Sequence, residues 1–112
     1  MNEMKELTFS YHFQKERADR IDYINNTIGF GEEIVVEVNY ENKRECITNT
    51  GVLLVMAKER DFVITAYIAN FNKVWSMCKI NELERVPQEL YRVVKDNAHH
   101  WQMQNGYAYI GG

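Results

Sequence analysis

His12 and Arg17 are residues that could support proton transfer beside a phosphate group. Histidine has an unperturbed pKa of about 6.5, so both of its protonation states are accessible near neutral pH. The arginine guanidinium is a permanent cation whose fork of N–H donors matches a phosphate. Two such side chains near each other would suit general acid–base chemistry on a phosphodiester.

The charged neighbours of these residues favour a second interpretation. Lys15 precedes Asp19 by four positions, and Glu16 precedes Arg20 by the same spacing. Oppositely charged pairs four residues apart stabilise an exposed helix surface. The segment therefore fits a solvated helix face as well as an acid–base site.

The remaining histidines and the cysteines do not follow a metal-binding pattern. On a helix, the adjacent His99 and His100 would point about 100° apart and could not both face one ion. Cys46 and Cys78 lack any C-x-x-C spacing and are expected to be buried free thiols. The sequence also lacks glycine-rich phosphate-binding motifs and a G-x-S-x-G nucleophile motif. We expect neither a metal nor a cofactor.

The composition is that of one ordinary globular domain covering residues 1–112. The chain is 46% hydrophobic and 26% charged, with a net charge of -3 that is too small to indicate a strongly charged partner. No apolar run approaches the roughly 18 to 20 residues that span a bilayer, and the first residues do not resemble a secretory leader. We therefore expect a cytoplasmic protein without a membrane segment.

Hydrophobic spacing predicts the elements of the first two thirds of the chain. Apolar residues three to four apart predict an amphipathic helix over 12–28, stopped by Gly29, and the alternation before it leaves open a short preceding strand. Four strands are predicted next, from alternation, β-branched residues and one unbroken apolar run. They cover 33–40, 44–49, 52–57 and 62–70 and are separated by short turns.

Two helices are predicted to follow. Asn70 is a plausible N-cap for the first, which ends near Ile80. Pro87 suits the first turn of the second, which ends at Gly106. Their buried faces are predicted to comprise Phe71, Val74, Trp75 and Cys78, and Leu90, Val94, Ala98 and Trp101. The tail YAYIGG could either pack back on the body or add an edge strand.

This order predicts an α+β fold: an N-terminal helix, a four-stranded antiparallel β-meander and two C-terminal helices packed on the sheet. Strands joined by short turns, with helices segregated to the ends, give this class. We expect the helices to cover one face of the sheet.

The segment YHFQKERADRIDYI, followed by a meander containing ITNTGVLLVMAKERDFVITAY, resembles the small nuclease-like domains of the barnase, EndoU, colicin-nuclease and RelE group. The resemblance covers about residues 11–68. Within the group, the segment is similar to members from phages and mobile elements. It implies a metal-independent endoribonuclease or toxin, or a catalytically dead relative that binds a partner. The residues it assigns to catalysis are His12, Arg17, Thr65 and Tyr67.

The charge of the chain departs from what this resemblance implies, apart from one local patch. Residues 1–60 contain eight Lys and Arg against eleven Asp and Glu, whereas nucleic-acid binders usually carry a basic surface. Thr65 is also a good strand residue on β-propensity alone. A local RNA-binding patch near two turns could comprise Lys43, Arg44, Lys58 and Arg60.

The alternative is a non-enzymatic protein-binding module, such as a phage-encoded inhibitor or accessory protein acting on a host protein. Glu33, Glu37 and Glu41 give the first strand an acidic face that favours a protein partner over RNA. Trp101, Tyr107 and Tyr109 form a C-terminal aromatic cluster of a kind enriched in interface cores. The same cluster could instead form a homodimer.

Overall fold

The computed structural model describes residues 8–58, 62–105 and 110–111; for 33–36, 100–105 and 110–111 it describes the backbone alone. The chain forms six strands and four α-helices in these segments. In chain order they are β1 (Thr8–Phe9), α1 (Tyr11–Glu16), α2 (Ala18–Tyr23), a π-helical turn (Ile24–Ile28), β2 (Glu33–Asn39), β3 (Lys43–Thr48), β4 (Val52–Ala57), β5 (Phe62–Ala69), α3 (Phe71–Ile80), α4 (Gln88–Asn105) and β6 (Ile110–Gly111).

The sheet is mixed rather than purely antiparallel. Strands β2 to β5 pair antiparallel in sequence order, and the α+β class is confirmed. β1 and β6 both pair in parallel with β5, at opposite ends of its outer edge. The strand order β1-β5-β4-β3-β2 therefore places β2 at the other edge. The four predicted antiparallel strands are present as β2 to β5, but the prediction that they form the whole sheet was wrong, because such two-residue edge strands carry almost no pattern.

The central strand β4 is buried on both sides of the sheet. Val52 and Leu54 belong to the core beneath α1, α2 and the π-helical turn, whereas Leu53 belongs to the core beneath α3 and α4. Helices thus cover both faces, and the expectation of one covered face was wrong. An apolar run without polar alternation is typical of a strand buried on both sides.

The N-terminal helix is broken at Arg17. Ser10 caps α1, accepting from the Phe13 amide at 3.1 Å while its own amide donates to the carbonyl of Val63 on β5. One straight helix from residue 12 to 28 would place Arg17 in the same stripe as the buried Phe13 and Ile21. The break turns Arg17 to solvent while both apolar side chains stay in the core.

The predicted caps of the C-terminal helices are largely confirmed. The Asn70 side chain accepts from the Lys73 amide at 2.7 Å, and α3 ends at Ile80. Pro87 lies directly before α4, and its carbonyl accepts from Tyr91. The buried face of α3 differs, because Met77 is buried while Phe71 is 42% exposed.

The β3–β4 turn joins the helical layers. Thr50 donates its hydroxyl to the Gly29 carbonyl at 2.8 Å and accepts, through its own carbonyl, from Asn97 of α4 at 2.8 Å. The backbone at Gly51 has a φ of 84°, which favours glycine. A Cβ there would lie 2.7 Å from the Asn97 amide nitrogen. α4 therefore packs directly on the turn.

Ile110 and Gly111 form the edge strand β6, one of the two predicted alternatives, while Gly106, Tyr107 and Tyr109 lie outside the described residues. Cys46 and Cys78 are buried free thiols, as predicted. None of the described helices has the length and hydropathy required to cross a membrane.

We expect Gly51→Ala to lower the free energy of unfolding by about 2 to 4 kcal/mol. The added Cβ would clash with the Asn97 side chain, and alanine would also adopt an unfavourable positive φ. Gly29→Ala is the matched control, because its φ is 76° and no atom lies within 4 Å of the added Cβ. That variant should lose about 1 to 3 kcal/mol from backbone conformation alone, since a φ of 76° with a ψ of 151° is a combination essentially restricted to glycine. Urea unfolding measures both, and equal losses would contradict the packing of α4 on the turn.

Candidate functional site

The residues assigned to catalysis by resemblance are not gathered in one cluster. His12 is exposed on α1, and Arg17 is exposed at the helix break, where its guanidinium donates to the Glu16 carbonyl at 2.9 Å. α1 packs through Phe13 on the core of the N-terminal helices. Thr65 lies on β5, two residues before Tyr67.

Thr65 and Tyr67 belong to the other face of the sheet. Tyr67 pairs with Leu53 in the β4–β5 register and packs against the core of α3 and α4. Thr65 shares its face because side chains two positions apart on a strand point the same way. No hydrogen bond or ion pair connects any two of the four residues, all of which are described. Their role in RNA cleavage stays a prediction.

Arg20 occupies the gap between β1 and β6 along β5. Its guanidinium donates to the Ala66 carbonyl at 3.2 Å and lies 4.8 Å from the centroid of the Tyr67 ring. Arg20 is 8% exposed, so its assignment to a solvated helix face was wrong. The break at Arg17 directs it towards the sheet edge, where it satisfies a strand carbonyl.

Two of the four predicted RNA-binding residues lie at the same end of the sheet. Lys43 is opposite Ala57 in the β3–β4 register, which brings the exposed Lys43 and Lys58 to the same end. Arg44 forms an ion pair with Glu37 at 3.3 Å, and its side chain is only 14% exposed. Arg60 lies outside the described residues.

The acidic strand β2 forms an open edge among the strands that the structure describes. Glu37, Asn39 and Glu41 are exposed, while Val38 is buried under α3 and α4. Of the other residues predicted to bind a partner, the side chains of Glu33 and Trp101 are outside the description, as are Tyr107 and Tyr109 entirely.

The end of α3 lies beside this edge. The Asn81 side-chain amide donates to the Glu37 carbonyl at 3.2 Å and to the Met77 carbonyl at 2.9 Å, joining the helix end to the strand. On either side of Asn81 in the chain, Ile80 is 59% exposed and Leu83 is 39% exposed. We call the outer edge of Glu37–Asn39, together with the side chains of Ile80 and Leu83, the β2-edge surface.

A tight helix end fixes the position of Leu83. The Leu83 amide donates to the Cys78 carbonyl at 3.0 Å, and the Glu82 amide donates to the Lys79 carbonyl at 2.9 Å. These two bonds form a Schellman motif, in which the left-handed residue is usually glycine. Here it is Glu82, with a φ of 61°. The backbone that carries Ile80 and Leu83 on either side of Asn81 therefore has a defined conformation.

A half-buried ion pair anchors α3 on the sheet. Lys73 Nζ lies 2.8 Å from Glu45 Oε1, and the two side chains are 20% and 12% exposed. The hydrogen bond to the Glu45 carboxylate, more than burial, raises the pKa of Tyr40 above 10.0. Burial disfavours the Lys73 ammonium, but its contacts with Glu45 outweigh this and raise the pKa of Lys73 above 10.5. Both side chains thus stay protonated, so neither serves as a base at neutral pH.

A separate groove of about 540 Å³ lies between the π-helical turn and α4. Thr27 lines one wall and His99 the other, next to Lys95 and Asp96. Asn97 also lines it, but its side-chain amide donates to Thr50. No group of three metal-ligating side chains occurs here or elsewhere in the described part of the chain.

Sequence reasoning missed Ile80, Asn81 and Leu83. Ile80 falls outside the predicted buried stripe of α3, and an apolar residue off that stripe signals exposure. The contact between Asn81 and Glu37 joins positions 44 residues apart and leaves no local pattern. The acidic strand was recognised, but its position at the sheet edge depends on the order of all strands.

No protein-family model, curated protein or solved structure matches this chain.

We expect Lys73→Met to lower the free energy of unfolding by about 1 to 3 kcal/mol, because it leaves the half-buried Glu45 carboxylate without its cation. The double variant Lys73→Met/Glu45→Leu should recover much of the loss, since it removes both charges together. Urea unfolding of the three proteins measures this. A double variant less stable than Lys73→Met would contradict the explanation.

Alkaline pH should weaken the fold. A pKa that is raised in the folded state contributes stability below the unfolded value, which is lost as pH rises through the folded value. Burial raises the pKa of the Cys78 thiol above 9.0, so the free energy of unfolding should begin to fall near pH 9. It should fall further as the pH rises through the raised pKa values of Tyr40 and Lys73.

The variant Tyr40→Phe separates the contribution of the Tyr40 hydroxyl from those of Cys78 and Lys73. It removes one titration while Cys78 and Lys73 remain, so its stability should decline less steeply above pH 10 than that of the unaltered protein. Thermal unfolding between pH 8 and pH 11 measures the difference. Parallel curves would show that the hydrogen bond to Glu45 has no energetic weight.

Proposed function

We propose that the chain is a non-enzymatic protein-binding module that engages its partner through the β2-edge surface. The observation that carries this proposal is an open edge among the described strands whose Glu37 carbonyl is contacted by Asn81, the residue between the exposed Ile80 and Leu83 in the chain. Exposed Ile80 and Leu83 would lose their contact with water in a complex, which favours association. Within the described segments the strand edge has backbone groups without a strand partner, and such groups give a complex its direction.

Exposed apolar residues elsewhere support this choice of surface by comparison. Phe71 and Tyr91 are 42% and 44% exposed, but they already pack on each other with ring centroids 5.4 Å apart. Tyr11 is 77% exposed, and Lys15 lies 5.9 Å from its ring centroid. The β2-edge surface combines aliphatic exposure with strand hydrogen-bonding groups, which neither aromatic site does.

We expect the double variant Ile80→Gln/Leu83→Gln to lose a partner that the unaltered protein captures from bacterial lysate. Both side chains are exposed, so the free energy of unfolding should change by no more than about 0.5 kcal/mol. Cross-linking with mass spectrometry should place the partner next to residues 37–39 and 80–83. Light scattering of the purified protein tests whether the partner is a second copy.

Tyr11→Gln is the matched control, since Tyr11 is exposed on a helix that packs on the opposite face of the sheet. It should capture the partner normally. Capture that survives the double variant, or that is lost equally in Tyr11→Gln, would overturn the assignment of the surface. Discrete RNA cleavage that is abolished by His12→Ala would instead favour the ribonuclease hypothesis.

A further inference from the structure

The phase of the β2–β3 pairing determines which backbone groups of β2 face outward. The Tyr40 amide donates to the Lys43 carbonyl at 2.7 Å, and Val38 is opposite Glu45. In an antiparallel pair, alternate residues direct both backbone groups to the partner strand. Val38 and Tyr40 therefore bond to β3, whereas Glu37 and Asn39 point their backbone groups away from it.

The Asn81 contact agrees with this phase. Its side-chain amide reaches the Glu37 carbonyl from outside the sheet, at 3.2 Å. The amides of Glu37 and Asn39 and the Asn39 carbonyl lie along the same edge and pair with no other described strand. These three groups form the row of donors and acceptors that an additional strand would use.

The side chains around the edge differ between the two faces of the sheet. Val38 and the buried residues of α3 lie on one face, and the exposed Ile80 and Leu83 flank Asn81 in the chain at the end of α3. Glu37 pairs with Cys46, a residue of the other core, so its carboxylate lies on the opposite face. A strand added at this edge would meet apolar surface on one face and negative charge on the other.

Charge determines which kind of strand fits. Residues 33–41 contain three glutamates and no lysine or arginine. The Glu37 side chain is 44% exposed even with Arg44 beside it. Pairing β2 with the β2 of a second copy would bring like charges together, which is destabilising across strands. A segment with lysine or arginine at alternate positions would be attracted instead.

We propose that β2 accepts an extended segment of a partner protein, with alternating basic and apolar residues, as an added strand. This inference rests on the proposed function and specifies its partner. The added backbone bonds to Glu37 and Asn39, its apolar side chains pack on Ile80 and Leu83, and its basic side chains face Glu37. Strand addition at an open sheet edge is an established mode of peptide recognition.

The test uses a synthetic peptide of alternating lysine and valine, about nine residues long, as the probe. On its addition, hydrogen exchange at the amides of Glu37 and Asn39 should slow by about tenfold or more, because these groups become bonded. The Val38 amide already bonds to β3 and should change less. A peptide of alternating glutamate and valine should protect none of them.

Asn39→Pro removes one outward amide, and a proline is tolerated on the open side of an edge strand. This variant should bind the lysine–valine peptide at least about tenfold more weakly than Asn39→Ala, which keeps the amide. Glu37→Lys should shift the preference to the glutamate–valine peptide, a result that does not depend on the proline variant folding.

Binding of the peptide without protection of Glu37 and Asn39, or equal protection by both peptides, would overturn strand addition. So would protection that appears without peptide and grows with protein concentration, since the added strand would then be a second copy. If Asn39→Pro keeps the lysate partner that Ile80→Gln/Leu83→Gln loses, protein binding stands and strand addition fails. If neither variant alters capture, the proposed function itself fails.

Discussion

The burial of β4 on both faces is the constraint on which the other elements depend. Leu53 and Leu54 are adjacent, point to opposite sides and are both almost fully buried. Burying a leucine side chain contributes roughly 1.5 to 3 kcal/mol, so neither side of the strand can be left open to water. The chain meets this constraint by placing the helices before the meander on one face and those after it on the other.

With both faces covered by helices, the backbone groups of the sheet that still need hydrogen-bond partners are those along its two edges. On the β5 side, β1 and β6 pair with its ends, and Arg20 bonds to the Ala66 carbonyl between them. On the β2 side, the described protection is the single amide of Asn81, with a break in register between Glu33 and Val36. Among the described residues, the β5 edge is therefore mostly paired, whereas the β2 edge has only the Asn81 contact.

The sequence predicts the parts of this arrangement that depend on local pattern. The unbroken apolar run of β4, the Asn70 cap and the proline before α4 each follow from the chemistry of a few neighbouring residues. The break at Arg17 was missed because the spacing of Phe13, Ile21 and Ile24 fits one continuous helix equally well. The β2-edge surface was missed because it joins a strand to a helix end more than 40 residues later, and no local pattern encodes that contact.

An accessible strand edge can bind a partner, but it can also cause self-association, since unpaired backbone groups promote pairing between copies of the same chain. The glutamates of β2 counter this association, because two copies aligned along the edge would repel each other. The same charges present no barrier to a basic segment and would increase its rate of encounter. One feature thus disfavours self-pairing while selecting a partner. The exposed Ile80 and Leu83, held by the unusual left-handed Glu82, then add apolar contact that charge alone cannot provide.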